Sequence, residues 1–274
     1  MPQDLSRFAI HQATTETRWG LREAILGYAR QGVRGITVRR DKLAACGMAE
    51  AKRLLRDHGM AVSGLSRFHP SSASDPAVRR ASLDEGRRAV DEAAELGARF
   101  LTMIGEGPRG DGSRDLEGAR RRVRDALADL LPYARAAGVP LAIEPVHPMN
   151  ADACCINTLA QANDLAGELG EGTGVLVDVY HVWWDPAVEA EIRRAAGRIL
   201  GFHMSDWLVP TRDVALDRGM MGDGVIDIPR LRRLVDEAGY GGFHEVEILS
   251  ADDWWRRDPD EVVRTCVERY GSAC

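Results

Sequence analysis

Eight short runs in which apolar and β-branched residues dominate alternate with longer stretches whose apolar positions recur at helical spacing. The runs are 8–13 (FAIHQA), 35–39 (GITVR), 61–67 (AVSGLSR) and 100–105 (FLTMIG). They continue at 140–146 (PLAIEPV), 173–179 (TGVLVDV), 199–206 (ILGFHMSD) and 243–249 (FHEVEIL). The helical stretches between and after them are 21–31, 42–58, 77–96 and 118–137, then 159–169, 187–196, 229–238 and 258–269. Glycine follows a helix at Gly32, Gly59, Gly97, Gly138, Gly170, Gly197 and Gly239, just before a strand resumes. A helix end favours a residue able to adopt positive φ, so this punctuation supports the division. Strand, helix, glycine, strand, repeated along the chain, predicts parallel strands joined by crossover helices. Eight such units close into a (β/α)8 barrel, whereas a doubly wound sheet would show fewer strands and a glycine-rich phosphate loop. No G-x-G-x-x-G or Walker sequence follows any strand; Gly105-Glu106-Gly107 lacks the third glycine.

The length of 274 residues fits one such barrel, and no linker or low-complexity tract divides it, so a single domain over 1–274 is expected. No window approaches the ~20 consecutive apolar residues of a membrane span. The opening MPQDLSRFAI lacks the basic head and apolar run of a signal peptide, so a cytoplasmic location is expected. A formal net charge of −6 leaves no general basic footprint for nucleic acid. The most basic stretch, 119–124 (ARRRVR), reads as a solvated helix face. Cys46, Cys154, Cys155, Cys266 and Cys274 form an odd set with no C-x-x-C pair, which argues against a disulfide framework or zinc ribbon. The adjacent Cys154 and Cys155 are expected to be small buried packing residues.

Barrel active sites lie at the C-terminal ends of the strands. There the fifth run carries Glu144, the sixth Asp178, the seventh His203, and the eighth Glu245 and Glu247. A charge inside a barrel strand is costly unless paired or bound to metal, and four converging on one mouth point to a cation. Three carboxylates and an imidazole form a hard, oxygen-rich set that suits Mn²⁺, Mg²⁺ or Co²⁺, with Zn²⁺ also able to bind. Glu245 and Glu247 share a strand face because they are two apart, and Glu247 lies nearer the C-terminal end. The three negative charges exceed the two of the ion, so a carboxylate can double as a base and a nearby cation is required. Arg212, in the loop after the seventh strand, can supply it.

The chain here resembles the xylose-isomerase-like barrel superfamily, the sugar phosphate isomerase/epimerase group that includes ketose 3-epimerases, hydroxypyruvate isomerase and inosose dehydratase. The motifs are I-E-P at Glu144, D-V-Y-H at Asp178 to His181, H-M-S-D at His203 to Asp206, G-D-G-V-I-D at Gly222 to Asp227, and G-Y-G-G-F-H-E-V-E-I at Gly239 to Ile248. The resemblance implies Glu144, Asp178, His203 and Glu247 as metal ligands, with Glu144 and Glu247 also the acid/base pair. It implies His181 and Arg212 as holders of substrate oxygens, Arg218 competing with Arg212 because the loop 209–223 is long. Homo-oligomers are common in the group.

The expected activity is therefore isomerisation or epimerisation of a small sugar-like polyhydroxy carbonyl compound. A cation bridging a carbonyl and its neighbouring hydroxyl stabilises the enediolate left when the intervening C–H loses its proton. The same ligands serve a lyase or dehydratase acting on a cyclitol or sugar derivative, which is the alternative. Abasic-site endonucleases share the barrel, but their third metal calls for D-x-H after the seventh strand, and this chain reads Asp217-Arg218-Gly219.

His11 reads equally as a pocket or a core histidine, and His69 as a loop residue within reach of substrate. His147 lies near the mouth, with a substrate or supporting role. His58 and His244 read as structural, and Asp206 as orienting a ligand or loop. The pairs Trp183-Trp184 and Trp254-Trp255 either wall a sugar site or pack beneath loops.

Overall fold

The computed structural model describes residues 4–108, 112 and 114–274, so 1–3, 109–111 and 113 of the expected 1–274 unit lie outside it. Its strands are β1 (Phe8–His11), β2 (Gly35–Arg39), β3 (Ala61–Phe68), β4 (Leu101–Met103), β5 (Leu141–Ile143), β6 (Thr173–Asp178) and β7 (Ile199–Met204), followed by the short β8 (Asp206–Trp207) and β9 (Arg218–Gly219), and by β10 (His244–Val246). Eight of them close into a barrel in the order β1-β10-β7-β6-β5-β4-β3-β2, while β8 and β9 form a separate antiparallel pair. Every barrel pairing is parallel. The predicted (β/α)8 barrel is the fold observed.

The helices are α1 (Leu21–Arg30), α2 (Arg40–Cys46), α3 (Met48–Asp57), α4 (Pro76–Leu96), α5 (Leu116–Ala136), α6 (Leu159–Leu169), α7 (Val179–Val182), α8 (Val188–Arg194), α9 (Ile228–Glu237) and α10 (Pro259–Ser272). The seven punctuating glycines all have positive φ, between 61° and 87°. One expected helix is two: Gly47, at φ 86°, ends α2 and opens α3 within the stretch 42–58. No helix among the described residues is long and apolar enough to cross a membrane.

Alternation along the strands separates two apolar layers. Residues such as Ile36, Leu101, Val175 and Phe202 join the large core shared with the helices, whereas Phe100, Ala142 and Leu176 form a small plug. A Cβ on either Gly64 or Gly201 would run into the Phe100 ring, so these glycines make room for the plug. Above the plug the filling turns polar. Thr37 and Ser63 hydroxyls lie 3.0 Å apart, and Ser63 donates to Glu245. Barrel interiors are ordinarily filled by branched apolar side chains, so this layer departs from the rule.

All five cysteines are free; Cys155 and Cys266 are buried, but Cys46, Cys154 and Cys274 are half-buried. The expectation of two buried neighbours thus holds for Cys155 alone. The backbone of Cys154 forms an antiparallel bridge with Glu106.

Candidate metal centre

Glu144, Asp178, His203 and Glu247 come from four adjacent strands, β5, β6, β7 and β10, at the C-terminal mouth. One ligand atom from each lies within 4.8 Å of all the others, and all four residues are buried. The strands hold the side chains tightly. Asp178 ends β6 opposite His203 in register. Glu144 and Glu247 stand one residue past their strands, yet their N–H groups still donate to Met103 and Met204 at 3.0 Å. Asp178 is fixed from above as well, since its Oδ1 accepts from the Tyr180 N–H at 2.9 Å and caps α7.

Distances within the cluster are those of charged groups facing one another. His203 Nδ1 lies 3.4 Å from Glu247 Oε2 and 3.8 Å from Glu144 Oε1. His11 accepts the Ala13 N–H on Nδ1, which leaves Nε2 to carry its proton toward Glu247 Oε1 at 3.4 Å. Of its two readings, the pocket one matches this placement. His147 contributes its backbone N–H to His181 Nδ1, while its ring stacks on Trp207 at 4.9 Å.

The two candidate arginines separate sharply. Arg218 is buried, with Nη1 2.8 Å from Asp178 Oδ2 and 3.1 Å from Glu247 Oε2, Nη2 3.1 Å from His181 Nε2, and its guanidinium over the Tyr180 ring. Arg212 is half-exposed and paired with Asp217 outside the cluster. The structure therefore corrects Arg212 to Arg218 as the cation beside the acidic cluster. The β8–β9 pair causes the exchange by returning the loop so that residue 218 faces inward.

Burial first, then the Glu247 charge, pushes the Glu144 carboxyl up to about 8. Glu247 is held well below the usual carboxylate range: burial opposes its charge, but His11, Arg218 and His203 outweigh it. His203 is raised to about 10, because the surrounding glutamates outweigh the burial that disfavours its cation. Burial lowers His11 to about 3 and His181 to about 4. The fold thus places proton-holding and proton-shedding carboxyls on opposite flanks of one cluster.

The donor set fits a divalent cation. Both ring nitrogens of His203 are buried without a hydrogen-bond partner, and Nδ1 faces the carboxylates, where loss of its proton would free a lone pair for a cation. Three carboxylates, a divalent ion and Arg218 sum to neutrality, which meets the charge requirement of a buried site.

The remaining candidates have definite places. Asp206 accepts four backbone N–H bonds, from Trp207 and Ile226 on Oδ1 and from Gly222 and Gly224 on Oδ2, all at 2.9 Å. It orients the loop. Trp184 lies against His147, and Trp183 against Trp207, along the mouth wall. Trp255 donates to Ala13 and Trp254 is buried beneath Arg257, so that pair packs under a loop. His69 bonds to Ile104 O and accepts from Arg67. His58 ends α3, and His244 lies between Tyr270 and Asp236. Sequence reasoning missed the wall formed by Trp207, whose spacing carries no signal.

An acidic, histidine-bearing cluster at the mouth of a closed parallel barrel defines the class: a β/α barrel equipped to hold a divalent cation. Residues 28–266 match the xylose isomerase-like TIM barrel family, and the chain belongs to it. Protein SMc04130 from Sinorhizobium meliloti 1021, known from a crystal structure, is 49% identical with a TM-score of 0.96, 99% of each chain being covered. An L-ribulose-5-phosphate 3-epimerase of Shigella flexneri is 28% identical over 216 residues, which are 77% of this chain and 70% of that protein. The IolI protein, solved with a bound zinc atom, shares the fold at 18% identity and a TM-score of 0.84, with 97% of each chain covered.

Proposed function

We propose that this chain is a divalent-metal-dependent isomerase or epimerase of a small sugar-like polyhydroxy carbonyl compound, built as one barrel domain over 1–274. The observation that carries the reading is the placement of Glu144 and Glu247 on the two outer strands of the four that bear the cluster, with Asp178 and His203 between them. Similarity to a ketose-phosphate 3-epimerase supports the same chemistry.

Glu144, Asp178, His203 and Glu247 would hold the ion, Mn²⁺, Mg²⁺, Co²⁺ or Zn²⁺. Bound there, it would supply Lewis acidity toward a carbonyl and its neighbouring hydroxyl, stabilising the charge that develops as the C–H between them ionises. The remaining work belongs to the chain. Glu247, kept ionised by His11, Arg218 and His203, takes the proton. Glu144 returns one from the opposite flank, across Asp178 and His203. Return to the same carbon inverts its configuration; return to the adjacent carbon exchanges aldose and ketose. Arg218 and His181 orient the substrate's oxygens, and the ring wall of His147, Trp184 and Trp207 shields the reacting carbon from water.

Metal-loaded enzyme incubated with free and phosphorylated ketoses in D2O should place deuterium on the carbon beside the carbonyl, read by proton NMR. Glu144→Gln and Glu247→Gln should each slow that exchange by at least about a hundredfold. A Glu144→Gln variant with wild-type turnover would sink the proposal.

A further inference from the structure

Glu245 is a buried carboxylate for which the proton chemistry above has no use. It stands in direct register with His203 across the β10–β7 pairing, one inward step below Glu247. Its Oε1 lies 3.6 Å from His203 Nε2, and both atoms are buried without a hydrogen-bond partner. The other oxygen accepts from Ser63, whose hydroxyl lies 3.0 Å from that of Thr37. On the far side of the same ring, Nδ1 faces Glu247 and Glu144.

We infer that Glu245 is a positioning residue: anchored by Ser63 and Thr37, it holds the His203 ring so that Nδ1 faces the other three candidate ligands. The inference rests on the metal-centre reading and deepens it. An imidazole that offers Nδ1 to a cation carries its one proton on Nε2, and that N–H requires an acceptor. Among the described residues, Glu245 supplies the acidic oxygen facing Nε2. The chain Thr37–Ser63 engages one carboxylate oxygen and leaves the other for the ring. Glu245 is not itself one of the four groups whose ligand atoms converge, because the imidazole stands between it and them. A strand that merely filled the barrel would carry a branched apolar residue here, at no desolvation cost.

The test uses the full chain and metal ions alone. Mn²⁺ and Zn²⁺ affinities are measured by competition with a chelator for wild type, Glu245→Gln, Glu245→Val and Ser63→Ala, with thermal unfolding of each metal-free protein as the control for folding. Loss of the acceptor in Glu245→Val should weaken binding about 10–100-fold, and Glu245→Gln, which keeps a neutral acceptor, should recover part of it. Ser63→Ala should fall between wild type and Glu245→Val. In ¹⁵N-histidine spectra of the zinc-loaded wild type, His203 should appear with its proton on Nε2.

Affinity within twofold of wild type in a folded Glu245→Val protein overturns the inference, as does a His203 that binds zinc through Nε2. If Glu245→Val does not fold, unchanged affinity in both Glu245→Gln and Ser63→Ala overturns it equally. These outcomes leave the proposed function standing, provided wild type binds metal. A wild type that binds neither ion overturns the functional reading first and this inference with it.

Discussion

Arg218 sits where two carboxylates would otherwise face each other unscreened, 2.8 Å from Asp178 and 3.1 Å from Glu247. Removing one member of a buried charge network leaves the rest uncompensated. Arg218→Gln should therefore destabilise the metal-free protein by about 3–5 kcal/mol, measured by urea unfolding, and by less once metal is added. Its turnover should fall by a hundredfold or more, while Arg212→Gln should keep wild-type turnover, because Arg212 lies outside the cluster. Equal losses in the two variants would contradict the assignment. The contrast also marks where the sequence stopped being legible. Glu144, Asp178, His203 and Glu247 could be read because each interrupts an apolar strand near its end, where position along the chain converts directly into position in the barrel. The arginine lies in a loop, and what aims it is the two-residue β8–β9 pair together with a bridge from Asp217 to Ser250. Pairings that short leave no periodicity to detect.

The loop after β7 is the element that most depends on a single side chain. Asp206 gathers four N–H groups from residues 207–226 into one carboxylate, so H-M-S-D and G-D-G-V-I-D are the two halves of one clamp. Gly224 belongs to it sterically, because a Cβ there would overlap the Trp207 carbonyl oxygen. The motif pair was visible in the sequence, but the partnership was not, since the bonds run to backbone groups that any residue would supply. Asp206→Ala should cost on the order of 3 kcal/mol by leaving four N–H groups without their acceptor, that of Ile226 buried. It should also speed amide hydrogen exchange across 207–226 relative to the barrel strands, because the clamp ties the loop's backbone together. Because β9 carries Arg218, catalytic turnover should fall even at temperatures where the barrel stays folded. Unaltered exchange across 207–226 would mean that the β8–β9 pair suffices alone.

For the whole molecule, the cluster makes stability a function of both pH and metal. In the metal-free fold Glu144 is raised to about 8 and His203 to about 10, so the native state holds protons that the unfolded chain releases. Their contributions are complete below the unfolded values of 4.5 and 6.5 and are lost as pH rises through 8 and 10. His11 and His181, lowered to about 3 and 4, act oppositely: their contribution is present above 6.5 and is lost as pH falls toward those values. The metal-free protein should thus be most stable near pH 6.5, with a Tm that declines as pH climbs toward 8. A bound cation favours deprotonated ligands, so the same rise in pH strengthens its binding and removes the decline. At a free metal concentration a hundred times Kd, the stabilisation is about 2.7 kcal/mol, or roughly 5–10 °C in Tm for a chain of this size. The gap between metal-loaded and metal-free Tm should therefore widen from pH 6.5 to 8 in wild type and close in His203→Asn, where Nδ1 is gone. A gap that stays constant with pH would mean that the ion does not compete for the protons on Glu144 and His203, and that the four strand-end residues are not its ligands.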